Sequence, residues 1–233
     1  MPEATTQAAT TAPGDARPRL PGGAPLARSP IRQPPPTAVV GHWEVSRRHT
    51  NAALRLADLS ALAKVVLRAA PESEAAGALG VPFGAARRVN VVATRPAPQL
   101  VVGSGPDEWT VLGPVDTQAE IEAALLALPG EHPRSVVDLT HGRALVRLTG
   151  AAAPAVLATI CAIDLRERST PNGKALRSLV AGVATDLVRD DVEGTCSYLL
   201  HVERSSGQYL YDTLMEAGAT AGIDAAGLPE KEI

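Results

Sequence analysis

The chain has 233 residues, 45% of them apolar but only 3% aromatic, with a formal charge of −3 and a pI near 6.0. That balance argues against a general affinity for nucleic acid or an anionic membrane, and no apolar run approaches the ~20 residues that span a bilayer. The length suits one large domain or two small halves. Cys161 and Cys196 are too few for a disulfide framework, and the N-terminus lacks a secretory apolar core, so a cytoplasmic protein is expected.

Nine of the 20 prolines lie between Pro2 and Pro36, mixed with Ala, Thr, Gly and Arg. Such a stretch offers too little apolar side chain to offset the entropy of ordering, so residues 1–38 are expected to form a disordered arm. Arg28-Ser29-Pro30-Ile31 is a candidate docking segment within it. The folded part is expected over 39–223, followed by a short polar tail at 224–233.

The folded part contains an internal repeat. Asp58-Leu59-Ser60 leads into ALAKVVLR and Asp138-Leu139-Thr140 leads into HGRALVR, each a turn entering a strand. Allowing one slipped residue, Lys64 aligns with Arg143 and Arg68 with Arg147. Each strand then meets a helix signal opened by proline, at Pro71 and at Pro154, where the missing N–H has no intrahelical partner to lose. Later, Thr117-x-x-Glu120 and Ser205-x-x-Gln208 read as capping boxes at an offset of 88 (205 − 117). Before each box lies a strand, Trp109 to Leu112 and Tyr198 to Val202. The ordered series predicts an α+β fold of two similar β-α-β-β-α halves, 39–130 and 131–223, about a pseudo-twofold axis.

The candidate chemistry is sparse. Gly103 to Pro114, GSGPDEWTVLGP, sets Asp107 and Glu108 beside Trp109, either as an acid/base pair or as the lip of a turn. Pro106-Asp107 pre-sets a turn, and the repeat places Cys196 opposite Glu108, so the fold needs no acid there. These acids are therefore expected to be structural or interfacial. His42, His49, His132, His141 and His201 have no metal-ligand spacing. Gly103-Ser104-Gly105 is half a dinucleotide fingerprint without a following helix, and no G-x-S-x-G elbow occurs. Cys161 reads as a core thiol in a helical run, Asp190-Asp191 with Glu193-Gly194 as a hairpin turn, and Arg47-Arg48 and Arg87-Arg88 as solvated faces. No catalytic, cofactor-binding or metal residue is assigned to the chain.

Several segments carry a family resemblance. GPDEW at 105–109, VVDLTHGRALVRLTG from Val136 with VLATICAIDL after it, VERSSGQYLYDTLMEAG from Val202, and Arg28-Ser29-Pro30 resemble the gamma subunit of heterotetrameric sarcosine oxidase. That resemblance implies a fold related to the folate-binding aminomethyltransferase-type domain of glycine cleavage. It implies an accessory role beside alpha, beta and delta subunits in a complex that demethylates sarcosine to glycine and carries FAD, FMN, NAD and tetrahydrofolate. No cofactor is expected on this chain by itself. The segment 166–177 departs from the family pattern, and the Lys-Gly-Cys signature of folate-binding repair proteins is absent. The alternative reading is a folate-binding, aminomethyltransferase-like one-carbon protein.

Overall fold

The computed structural model of the chain describes residues 25–229. In chain order it forms β1 (Ala27–Arg28), β2 (Thr37–Val40), β3 (Trp43–Ser46), β4 (Leu54–Asp58), β5 (Leu62–Ala69), α1 (Glu74–Leu79), β6 (Ala86–Val89), β7 (Gln99–Gly105) and β8 (Glu108–Val115). There follow α2 (Gln118–Leu126), β9 (Arg134–Asp138), β10 (Arg143–Thr149), α3 (Ala153–Leu157), β11 (Ala175–Val180), β12 (Val183–Arg189), β13 (Ser197–Glu203), α4 (Gly207–Ala217) and β14 (Ile223–Ala226). The fold is α+β, as expected.

Two sheets carry the architecture. One runs β11-β12-β13-β10-β4-β14 and the other β6-β7-β8-β5-β9. They stack over a shared layer that includes Trp43, Leu59, Leu62, Leu100, Leu112, Leu145, Val188 and Leu199. The outer face of the first sheet buries Leu56, Val146, Leu148 and Leu200 against Leu210 and Leu214 of α4 and Val156 and Leu157 of α3. The outer face of the second buries Val65, Leu67, Trp109 and Val111 against Leu79 of α1 and Ile121 and Leu125 of α2. With so few aromatic residues, interleaved Leu and Val fill these layers.

Strand exchange ties the sheets together. β4 leads into β5 but pairs with β10, while β9 leads into β10 but pairs with β5. The two turns that make this exchange are built alike. Asp58 Oδ1 accepts from the Ser60 N–H at 2.9 Å, and Asp138 Oδ1 accepts from the Thr140 N–H at 2.8 Å. Leu59 N–H donates to Leu145 O and Leu139 N–H to Lys64 O, both at 2.8 Å. Along the strands that follow the turns, β5 pairs Lys64 with Leu112 of β8 and β10 pairs Leu145 with His201 of β13. The rings of Trp109 and Tyr198 are both buried.

Several expected boundaries move. Within the expected arm, Ala27 and Arg28 pair with β3, and Ile31 is buried in the core beside α4. Residues 1–24 lie outside the described residues. The expected tail supplies β14, parallel to β4, and the buried Leu228. The helix expected from Pro71 starts at Glu74, because Ser73 Oγ accepts from the Ala76 N–H at 3.2 Å and caps it. Neither capping box forms. The Thr117 hydroxyl donates to Pro114 O at 2.8 Å and Glu120 pairs with Arg95. Ser206 precedes α4, with Gln208 bonded to Asp212. The helix from Pro154 stops at Leu157, so Cys161 lies beyond it, bridged to Val180.

Lys64 sits wholly buried between the sheets, its Nζ donating to Ser60 O at 2.8 Å and Leu62 O at 2.7 Å. Burial pushes its pKa down to about 7 from 10.5, against the pull of Asp58 and Asp138. The unfolded chain therefore binds the extra proton between those values, and stability rises with pH across that window. The urea midpoint is expected to climb from neutral pH to about pH 9.5 in the wild type and to stay flat in Lys64→Met. A climb that survives the substitution would assign the titration to another group.

Candidate functional site, a charged bridge between the sheets

Glu108 opens β8 directly after the two-residue turn Pro106-Asp107. Asp107 is exposed at the turn, whereas the Glu108 side chain is buried. Arg68 lies opposite Glu108 on β5 and donates to Oε2 from Nε at 3.0 Å and Nη2 at 2.6 Å. The other oxygen, Oε1, accepts from Arg177 Nη2 at 2.8 Å. Arg177 belongs to the other sheet, where it faces Asp186 across the β11–β12 pair and donates to its Oδ1 at 2.5 Å and Oδ2 at 3.2 Å. Asp186 in turn faces His201 on β13, with Nδ1 at 3.7 Å from Oδ2, an electrostatic contact longer than a hydrogen bond. Arg68, Glu108, Arg177 and Asp186 thus form one chain of charge from sheet to sheet, with His201 beside its inner end.

The environment fixes the ionisation states. Burial raises Asp186, but His201 and Arg177 outweigh it and hold the carboxyl at about 2. Burial likewise opposes Arg177 and Arg68 at Glu108, and the arginines win, keeping it below the usual carboxylate range. Burial pushes His201 down, with Asp186 pulling the other way, so the ring favours its neutral form. Its Nε2 has no hydrogen-bond partner among the described residues.

A second bridge crosses beside it. Arg88 of β6 donates to Asp190 at the end of β12, 2.9 Å from Nη1 to Oδ1. Arg147 of β10 reaches the same carboxylate at 2.7 Å and the Asp190 carbonyl at 2.9 Å. Arg88 and Arg177 each reach an acid of the opposite sheet. Between them the strand edges join: Ala86 N–H donates to Gly173 O at 2.7 Å and Ala175 N–H to Gly84 O at 2.9 Å.

The other sequence candidates scatter. His42 pairs with Asp116 and His141 stacks on Trp43, ring centroids 4.7 Å apart. Gly103 lies within β7, where an added Cβ would meet Pro82 O at 2.3 Å, so the glycine admits a packed segment rather than a phosphate. Val192 and Thr195 close the expected hairpin turn at Glu193-Gly194. Among the described residues no cluster of three or more His, Cys, Asp or Glu could hold a metal. Arg88 corrects the expectation of a solvated face, and Arg48 pairs with Asp224. Sequence reasoning missed Arg177 and Asp186, and gave His201 and Lys64 no place between the sheets. Their signal was a charged residue inside an otherwise apolar strand, as in ALRSLV, VATDLVR, YLLHVE and LAKVVLRA.

The space between the sheets is small. The cavity between the sheets, lined by Ser104, Thr110, Asp186 and His201 among others, holds about 10 Å³, against the hundreds of Å³ typical of a ligand site. Tetrahydrofolate does not fit there. An open groove of about 750 Å³ lies outside, floored by Ala155, Ala158 and Ile163. Both of its arginines are engaged, Arg166 by Asp164 and Arg189 by Asp191 and Glu167, leaving no free cation for a folate carboxylate.

The family profile described as GCVT N-terminal domain matches residues 107–232. The glycine cleavage system aminomethyltransferase T from Bartonella henselae shares the fold, with a TM-score of 0.66 at 15% identity over 83% of this chain and 56% of that one. The architecture is thus that of a GCVT-type domain. Closer in sequence are sarcosine oxidase gamma subunits. That of Corynebacterium sp. (strain P-1) is 33% identical over 142 residues, 60% of this chain and 69% of the relative. That of Arthrobacter sp is 30% identical over the same shares. A chain of the heterotetrameric sarcosine oxidase from Corynebacterium sp. U-96 matches with a TM-score of 0.59 at 24% identity, covering 75% of this chain and 88% of that one. This chain belongs to the sarcosine oxidase gamma-subunit family.

The bridge has a direct consequence for stability. Glu108→Gln is expected to cost about 1–3 kcal/mol in urea unfolding, because two guanidinium groups lose their shared carboxylate. Asp107→Asn, one residue away but exposed, should change stability by about 0.5 kcal/mol or less. Trp109→Ala removes a buried ring whose Nε1 donates to Val81 O at 2.7 Å, and should cost about 3–5 kcal/mol. Equal effects at 107 and 108 would contradict the bridge as a structural element.

Proposed function

We propose that this chain is an accessory subunit of a sarcosine oxidase complex, assembling beside alpha, beta and delta subunits in the cytoplasm. The observation that carries the reading is membership of the gamma-subunit family joined to a site whose charged groups are all spent on one another. Every acid and arginine of the bridge has a partner across a strand or across the sheets, and none faces a cavity large enough for substrate. The oxidative demethylation of sarcosine to glycine then belongs to the larger flavin subunits, with FAD, FMN, NAD and tetrahydrofolate held there. The alternative, a folate-binding one-carbon protein, is disfavoured by the 10 Å³ between the sheets and the engaged arginines of the groove.

We infer further that the two halves, 39–130 and 131–223, are related by a pseudo-twofold axis. Supporting this are the exchanged strands β4 and β9, the matched Asx turns, and the reciprocal bonds of Ala86 with Gly173 and Ala175 with Gly84. An interface that pairs equivalent residues with each other is the signature of an isologous contact.

Purification of the tagged chain from its native cells is expected to bring larger, flavin-carrying subunits and sarcosine-dependent peroxide production. The chain expressed by itself should show no flavin absorbance and no such activity. A yellow, active preparation of the lone chain would overturn the reading, as would tagged chain that carries no flavin subunit.

A further inference from the structure

The β12–β13 connection sets a thiol on the open groove outside the first sheet. Cys196 follows the Val192–Thr195 turn and is half-buried, lining the groove with Ala155, Ala158, Ile163 and Arg189. The backbone around it is fixed. The Cys196 carbonyl accepts from the Gly150 N–H at 2.9 Å, and the Thr195 N–H donates to Val192 O at 2.8 Å. On the other side the Ser197 N–H donates to Asp191 Oδ1 at 3.2 Å. A held thiol with an open approach can react, whereas one sunk in a core is inert.

A second group points at the same spot. The Tyr198 side chain is wholly buried in the core layer that includes Leu148 and Leu157. Its hydroxyl has no hydrogen-bond partner among the described residues. Phenylalanine would fill the same space without stranding a hydroxyl, so the oxygen calls for a partner. The side chain that approaches it is Cys196: burial first, and then the thiol, push the phenol up. A thiol is a weak acceptor for that hydroxyl, whereas an oxygen carried on the same sulfur would be a strong one. Arg189 stands beside the sulfur, held by Asp191 at 3.1 Å and by Glu167. Asp191 first, then Glu167 and negative charge at Cys196, raise its pKa against burial.

We propose that Cys196 is an oxidation site, where hydrogen peroxide entering the groove converts the thiol to a sulfenic acid whose oxygen accepts from the Tyr198 hydroxyl. The thiol gives up its proton and its sulfur attacks one peroxide oxygen. The S–O bond forms as the O–O bond breaks, sulfur loses two electrons, and the departing hydroxide takes up the proton and leaves as water. One thiol and one peroxide thus yield one sulfenic acid and one water. The Arg189 charge beside the sulfur favours the negative charge that develops. Both groove arginines are spent on acids, so the groove suits a neutral oxidant. Hydrogen peroxide is neutral, and the complex proposed above would release it. Cys161 is bridged to Val180 and does not line the groove, which makes it the internal control.

Reagent peroxide tests the site on the full chain alone, so a negative result leaves the subunit reading standing. Wild type, Cys161→Ser, Cys196→Ser and Tyr198→Phe are treated with hydrogen peroxide in the presence of dimedone, which traps sulfenic acids, and the adducts are mapped by peptide mass. Wild type and Cys161→Ser should carry the adduct on Cys196, formed about tenfold or more faster than any on Cys161, and Cys196→Ser should lose that fast adduct. In a second arm peroxide is removed with catalase before dimedone is added after a delay. The trappable sulfenic acid of Tyr198→Phe should then decay about threefold or more faster than that of the wild type. Labelling of Cys161 as fast as Cys196 would overturn the site. So would a Cys196 that iodoacetamide alkylates but peroxide leaves unlabelled. Equal decay in Tyr198→Phe and the wild type would overturn the part assigned to the buried hydroxyl.

Discussion

The structure depends on one constraint, the closure of two sheets against each other by arginines that reach across the joint. Backbone bonds at Ala86 and Ala175 bring the edges of β6 and β11 together, but a few such bonds on an open edge would fray. Arg177 reaching Glu108 and Arg88 reaching Asp190 hold the edges in register from both sides. Each guanidinium is bidentate or shared, the geometry in which arginine exceeds lysine. The layer of Leu and Val between the sheets supplies the driving force, and the arginines specify which edges meet.

That closure also explains why the chain reads as a subunit rather than a catalyst. An acid such as Glu108, buried and aimed inward, has the address of a catalytic residue. Here its two oxygens are saturated by Arg68 and Arg177, and the adjoining space holds about 10 Å³. The same GCVT-type architecture occurs in an aminomethyltransferase of which this chain matches about half. The fold is therefore compatible with chemistry, but the space between the sheets beside Asp186 and His201 is too small to admit a substrate. His201, buried and kept neutral beside Asp186, belongs to the same packing.

Much of this was legible in the sequence. The Asp-Leu-Ser and Asp-Leu-Thr segments read as turns entering strands, and the structure builds both as Asx turns. The GPDEW segment pointed to the family. What failed was register. Short apolar strands tolerate a slip of one residue on paper, whereas in a sheet one step turns every side chain to the other face. Spacing therefore did not set Arg88 beside Arg177, although each reaches an acid of the opposite sheet. The capping boxes failed because Thr117 found a carbonyl partner at Pro114 and Glu120 an arginine, competitors that spacing cannot show. Ile31 and Leu228 lay in segments whose average composition is polar or proline-rich, and averages conceal a single anchoring side chain. Arg177 and Asp186 were invisible for another reason: their meaning lies in a contact between strands distant in the chain.

The account stands on Glu108 being part of the frame and not of the chemistry. The most direct measurement is the sarcosine turnover of the assembled complex carrying Asp107→Asn together with Glu108→Gln. The account predicts a turnover number within about threefold of the wild type, once assembly is matched by subunit stoichiometry. A fall of about 10³ or more with assembly intact is the scale of a lost catalytic group, and it would contradict the account by placing these acids in the reaction.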